Sequence, residues 1–143
     1  MASAQEIAQV LGLQEHREGG MFRELYRSVV RTHATKQRRA ATSIFYMLRA
    51  RDVSTWHLVK SDEIWMYHAG SSAIQLLLLP DGTFEERVIG PDVLSGEFPQ
   101  SLVPAWTWQS TVLTVPRTAG DCSARWSVPD SSSRITLKAE PKS

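Results

Sequence analysis

One cysteine in 143 residues, Cys122, leaves no partner for an internal disulfide and too few thiols for a cysteine-rich zinc site. No apolar run approaches the roughly 18 residues a membrane-spanning helix needs, and no basic stretch followed by an apolar one opens the chain. Neither charge is in excess: 16 Lys and Arg stand against 15 Asp and Glu, a formal net charge of +1. That balance sets up no field to recruit nucleic acid or an anionic membrane, so neither is expected as a partner. These absences point to a soluble, cytoplasmic protein. What is present is ordinary globular material, 42% hydrophobic and 22% charged, enough for one domain with a real core.

The chain is organised around residues 54–70, STWHLVKSDEIWMYHAG. Trp56 and His57 precede a turn-forming Lys60-Ser61-Asp62. Glu63, Trp65 and Tyr67 then alternate with Ile64, Met66 and His68 up to Gly70. A period of two puts Glu63, Trp65 and Tyr67 on one face of a strand and His68 on the other. A carboxylate sharing a face with two large aromatics, beside a histidine, reads as the wall of a pocket, because Glu is seldom buried unpaired.

The remaining segments supply the frame. Residues 3–13 carry Ser3 and Glu6 at capping-box spacing and an apolar stripe of Ile7, Val10 and Leu11, which predicts a short helix. Residues 21–30 alternate imperfectly, like a strand. Residues 31–39, RTHATKQRR, lack apolar spacing and read as a solvated loop. Residues 41–48 and 73–79 are apolar enough to be buried strands. Pro80-Asp81-Gly82-Thr83 then turns the chain into a hairpin partner over 84–89. Residues 101–114 give one more strand or a pair. Many short strands separated by turns, after one small helix, indicate an antiparallel sandwich or barrel.

Trp56-His57, Ser61-Asp62-Glu63-Ile64-Trp65 with Gly70, Gly19-Gly20 with Arg23, Tyr26 and Arg27, Thr42-Ser43-Ile44, Val103-Pro104-Ala105 and Trp108-Gln109 together form a specific pattern. From about residue 11 to 109 the chain resembles the small cupins of family five. The resemblance implies an all-β fold, a cupin jelly-roll β-barrel (double-stranded β-helix), with a central cavity for a small-molecule ligand and often a homodimer. The domain would span 1–114, with an irregular tail over 115–143.

Metal-binding cupins carry His-x-His, a Glu and a Gly in one motif and a further His in a second. His57, Glu63 and Gly70 fit that spacing here. The second histidine falls at Val59 and the last at Gln109. No cofactor is therefore certain, and a divalent metal, if bound, would rest on His57, Glu63 and Gln109. Without metal, His57 can act as a base beside Glu63, with Tyr67 or Tyr46 returning the proton. That chemistry is analogous to the jelly-roll sugar-nucleotide epimerases. The implied function is an isomerase or epimerase acting on a sugar-like or sugar-nucleotide substrate; the alternatives are a non-catalytic metabolite-binding cupin and a weakly metal-dependent enzyme. The catalytic set is His57, Glu63 and Tyr67. Substrate contacts are expected from Arg23, Tyr26, Ser43, Tyr46, Trp65, Trp108 and Gln109, with Arg23 meeting a phosphate or carboxylate.

Two departures stand out. Trp106 occupies a position where the family has glycine, so an indole is expected to crowd or reshape the cavity mouth. From Val115 the chain reads VPRTAGDCSARWSVPDSSSRITLKAEPKS, where the family continues with an apolar strand and a Pro-Gly-Phe closing segment. Joining the last base of each codon from Asp121 to the first two of the next permits Leu-Leu-Gly-Ala-Val-Val-Gly-Pro-Gly-Phe-Glu-Phe-Glu-Asp-Tyr. The tail is therefore expected to be a frameshifted form of the family ending, which the coding DNA would decide. On that reading the barrel loses its last strands, their neighbours are left unpaired, and Cys122 is no nucleophile.

Overall fold

The computed structural model describes residues 3–31 and 39–114, and the backbone of 136–139. The loop expected over 31–39 and Cys122 lie largely or wholly outside the described residues. The helix α1, Ala4–Leu11, starts as its sequence demands. The Ser3 hydroxyl accepts the Glu6 amide at 3.2 Å, and the Glu6 carboxylate accepts the Ser3 amide at 2.7 Å. Gly12 ends the helix in the left-handed conformation, with φ +64°. Ala4 and Ala8 face inward onto Met47, with Ile7, Leu13 and Met21 packed around them.

Among the described residues ten strands follow in chain order: β1 (Gln14–Glu15), β2 (Met21–Arg27), β3 (Thr42–Met47), β4 (Val53–Val59), β5 (Glu63–Tyr67), β6 (Ala73–Leu78), β7 (Phe84–Ile89), β8 (Gln100–Val103), β9 (Thr107–Leu113) and β10 (Thr136–Ala139). Six form one sheet in the order β1-β2-β3-β10-β5-β8, and four form the other, β4-β9-β6-β7. All the strand pairings are antiparallel. The core lies between the layers: Ile44, Tyr46, Trp65 and Val103 from the first meet Ala73, Leu77, Ile89 and Leu113 from the second. At one seam the Thr55 amide donates to the Glu18 carbonyl at 2.8 Å, and at the other Phe98 donates to Val88 at 2.8 Å. No helix among the described residues is long and apolar enough to cross a membrane.

Three sequence expectations change here. The imperfect alternation of residues 21–30 has a cause: the β2–β3 register shifts between Glu24 and Tyr26, so the faces exchange partway along β2. The segment read as irregular after residue 114 contains β10, and the exposed edges expected beside it are not left open. Thr136 pairs with both Tyr46 and Tyr67, and Ala139 with both Ser43 and Ile64, so the slot between β3 and β5 is filled.

The third change concerns Trp106. It is the one non-glycine residue among those described with positive φ, at +64°, and its amide donates to the Val59 carbonyl at 2.8 Å. Trp106 is 54% exposed, and its ring lies 5.5 Å from the Lys60 ammonium, so the indole does not plug the interior. A β-carbon in that conformation costs about 1 kcal/mol, partly offset by the extra freedom a glycine has when unfolded. Trp106→Gly is therefore expected to hold or raise the melting temperature, whereas Trp106→Ala, which keeps the strain and loses the cation contact, lowers it. Thermal melts of the two variants check this; a glycine variant less stable than the alanine one would show that a β-carbon is not strained at this position.

Candidate functional site

β5 supplies one wall. Alternation turns Glu63 and Trp65 inward, at 0% and 1% exposure, with Tyr67 packed against the same cluster. Neighbours two apart on one strand face are close enough to bond, and Trp65 Nε1 donates to Glu63 Oε2 at 3.3 Å. Gln109 Nε2 donates to the same oxygen from the facing sheet at 2.8 Å. The buried carboxylate is thus held by two donors from two layers.

β4 supplies the histidine, and it does so through an irregularity. Ser54 pairs with Thr111 and His57 with Gln109, so three steps along β4 match two along β9. The extra residue is absorbed at Thr55 and Trp56, both exposed, and the bulge returns His57 to the inward face. His57 Nδ1 lies 2.7 Å from the Thr55 carbonyl oxygen. A carbonyl can only accept, so Nδ1 carries a proton in this contact, and in the neutral ring Nε2 would be the basic nitrogen. His57, Gln109 and Glu63 are therefore linked in sequence, by ladder pairing and then by a hydrogen bond.

A second polar group lies one row away. Cross-strand register aligns Ser54, Thr111, Gln75 and Arg87 over the four strands of one sheet. Ser101, from the other sheet, donates to Gln75 Oε1 at 2.7 Å and accepts from Arg87 Nη1 at 3.0 Å. Arg87 also donates to the Leu102 carbonyl and pairs with Glu85 at 2.7 Å. Gln75 Nε2, Thr107 Oγ1, Gln109 Oε1 and Thr111 Oγ1 are buried with no hydrogen-bond partner among the described residues. Each such group left unmet costs about 1–3 kcal/mol. The sequence reading missed Gln75, Ser101, Thr107 and Thr111. The one signal was a glutamine inside the apolar run AIQLLLL, where a purely packed strand would carry another aliphatic residue.

Several residues singled out from the sequence lie elsewhere. The Tyr67 hydroxyl donates to the Gly70 carbonyl at 2.6 Å, so it braces the turn after β5. The Tyr46 hydroxyl donates to the Gly19 carbonyl at 2.6 Å, and its ring meets Trp65 edge-on at 5.5 Å. Arg23 is exposed, and its guanidinium donates to the Leu11 carbonyl at the end of α1. Tyr26, 56% exposed, pairs with Ser43 on the outward side of β2 and β3. Trp108 is 46% exposed: alternation sends it outward, between Leu58 and Leu78, when Gln109 goes in. His68 is exposed, as its parity requires. The structure thus brings together His57, Glu63, Trp65 and Gln109, with Tyr46 and Tyr67 at the margins. Arg23, Tyr26, Ser43 and Trp108 stand outside that group.

The donor set fits a resident metal poorly. One imidazole nitrogen, one carboxylate and one amide oxygen are fewer strong donors than a divalent transition ion needs: Gln109 Oε1 has no partner among the described residues but is a weak ligand, and Glu63 Oε2 already accepts from Gln109 and Trp65. No three His, Cys, Asp or Glu residues cluster as metal ligands among the described residues. Treatment with a chelator should accordingly leave the melting temperature unchanged, and a fall of several degrees on metal removal would restore the metal-dependent reading.

The fold recurs in solved structures. A protein from Shewanella oneidensis, SO0799, superposes with a TM-score of 0.78 at 27% identity, over 97% of this chain and 77% of that one. A hypothetical protein from Leishmania major gives 0.79 at 23% identity, over 96% and 80%. KdgF from a Halomonas species gives 0.56 at 13% identity, over 92% and 86%. No curated protein matches the chain. Residues 5–123 match the family described as Cupin superfamily (DUF985), so a jelly roll that turns a buried glutamate and a bulge-borne histidine inward belongs to that family of cupins.

Proposed function

We propose that the space between the two sheets binds a small polar molecule, and that His57 moves a proton on it in an isomerase-type reaction of a sugar-like carbonyl compound. The observation that carries this is the Nδ1–H bond from His57 to the Thr55 carbonyl, which commits the neutral ring to presenting Nε2 as a base. In the step envisaged, Nε2 removes a proton from the carbon next to a carbonyl and the electron pair moves to the carbonyl oxygen, giving an enediolate beside the imidazolium. The Glu63 carboxylate takes the neighbouring hydroxyl's proton and passes it to that oxygen, so the negative charge moves to the oxygen that becomes the new carbonyl when the imidazolium returns its proton to the other carbon.

The two phenols are a poor choice for returning the carbon-bound proton, since each donates to a backbone carbonyl. His57 then serves both ways, handing the proton to the neighbouring carbon on the same face. That favours aldose–ketose isomerisation over inversion, which needs a second acid on the opposite face. Neighbours such as KdgF support the cupin fold at this point, and no more, at 13% identity. The test is wash-in of deuterium from D2O at the carbon acids of free aldoses and ketoses. Binding without exchange would leave a metabolite-binding protein in place of an enzyme.

A further inference from the structure

The polar groups between the sheets say what kind of molecule suits them. Gln75 sits between Ala73 and Leu77 on the inward face of β6, and Thr111 lies beside it on β9. Thr107 and Gln109 continue the same face. All four are at 0–1% exposure. What they leave over is one amide donor, Gln75 Nε2; one amide acceptor, Gln109 Oε1; and two hydroxyls that can do either. That is the complement of a molecule rich in hydroxyl groups, each of which gives one hydrogen bond and takes others.

Charge narrows the class. Glu63 is the one charged residue among the fully buried side chains described. The guanidinium of Arg87, nearest along the polar row, is already paired with Glu85 and bonded to Ser101 and the Leu102 carbonyl. An anion entering the interior would give up its hydration, meet a carboxylate, and find that cation engaged. We propose that the ligand is an uncharged polyhydroxy compound, a free monosaccharide or polyol, bound by Gln75, Thr107, Gln109 and Thr111; phosphorylated, nucleotide-linked and acidic sugars are excluded. This deepens the reading of the interior as a small-molecule pocket and rests on it.

The experiment follows the side-chain amide resonances of Gln75 and Gln109 in 15N-labelled protein during titration. One series contains free hexoses, pentoses and hexitols; the other contains hexose 6-phosphates, uronates and a nucleotide-linked hexose. The expected result is saturable shifts of both amides by a neutral member, with its charged counterpart at least about tenfold weaker. Thr111→Val keeps the shape and removes the unmet hydroxyl. It should weaken the neutral ligand by about tenfold, the worth of one good hydrogen bond, while the melting temperature holds or rises. A merely structural threonine would instead lose stability and leave affinity alone, which overturns the assignment. If charged sugars shift the amides more strongly than neutral ones, the proposal is overturned and the pocket reading stands. The same holds if they bind through Lys138, which the β10 register sets opposite Ile44 and Trp65, and lose affinity in Lys138→Ala. If neither series moves the two amides, the pocket reading itself falls.

Discussion

Gly19→Ala should unfold this protein or bring it close to unfolding. Gly19 has φ +106°, and a β-carbon there would overlap the Val53 carbonyl oxygen and lie 2.9 Å from its carbon. The obstacle is backbone, which cannot rotate away as a side chain can. It also lies at the seam where the turn before β2 meets β4, and where Gly19 accepts the Tyr46 hydroxyl. We expect a loss of about 4 kcal/mol, combining left-handed strain with overpacking. For a domain of this size that is a fall in melting temperature of roughly 15 °C. Gly82→Ala is the control: its φ is +86°, yet nothing lies within 4 Å of the added carbon. It should cost only about 1 kcal/mol, for φ alone. Similar melting temperatures for the two variants would mean that the seam is not packed as described.

The second large effect concerns chemistry. His57→Ala should lower carbon-acid deuterium exchange by about 10²–10⁴-fold, the range a positioned general base supplies. Ligand binding should change far less, because the hydroxyl-matching groups lie on β6 and β9. Stability should change less than exchange does, since His57 is only half buried. His57→Gln separates base from hydrogen-bonding group: an amide can keep the Thr55 contact and the polarity of the site, but it cannot carry the proton. Exchange in the glutamine variant should therefore be as low as in the alanine one. Exchange persisting in either variant would move the base elsewhere, with Glu63 the next group to test by Glu63→Gln.

How much of this could be read from residues alone depended on which rule governed each position. Strict alternation was enough for β5: Glu63, Trp65 and Tyr67 share a face because nothing interrupts five residues of strand. The same rule, applied to Trp108 and Gln109, already forbids both from facing inward, and the structure sends the tryptophan out. His57 was a different case. Ordinary alternation from Ser54 would have turned Trp56 inward, and only the bulge, set by pairing with β9, reverses that. The outward placing of Tyr26 likewise follows from the register shift in β2. Arg23 lies outside because it alternates with Phe22, which packs on the core, and its guanidinium is then free to reach the end of α1. Gln75 and the two threonines were hidden because β-branched and apolar runs look alike whether or not the polar groups buried among them find partners. The capping box of α1 and the turn at Pro80, by contrast, rest on contacts within a few residues, and there sequence and structure agree.

β10 has a consequence for the order in which the molecule comes into being. Its partners, Ser43 to Tyr46 and Ile64 to Tyr67, leave the ribosome long before Thr136 to Ala139 do. The larger sheet therefore waits with a gap at its middle, not at its rim, while the remaining chain is synthesised. Contacts so far apart along the chain are slow to form, and until they do the half-built layer shows two open flanks to any strand nearby. For this jelly roll, the hazardous interval is the one between the emergence of Tyr67 and the arrival of β10.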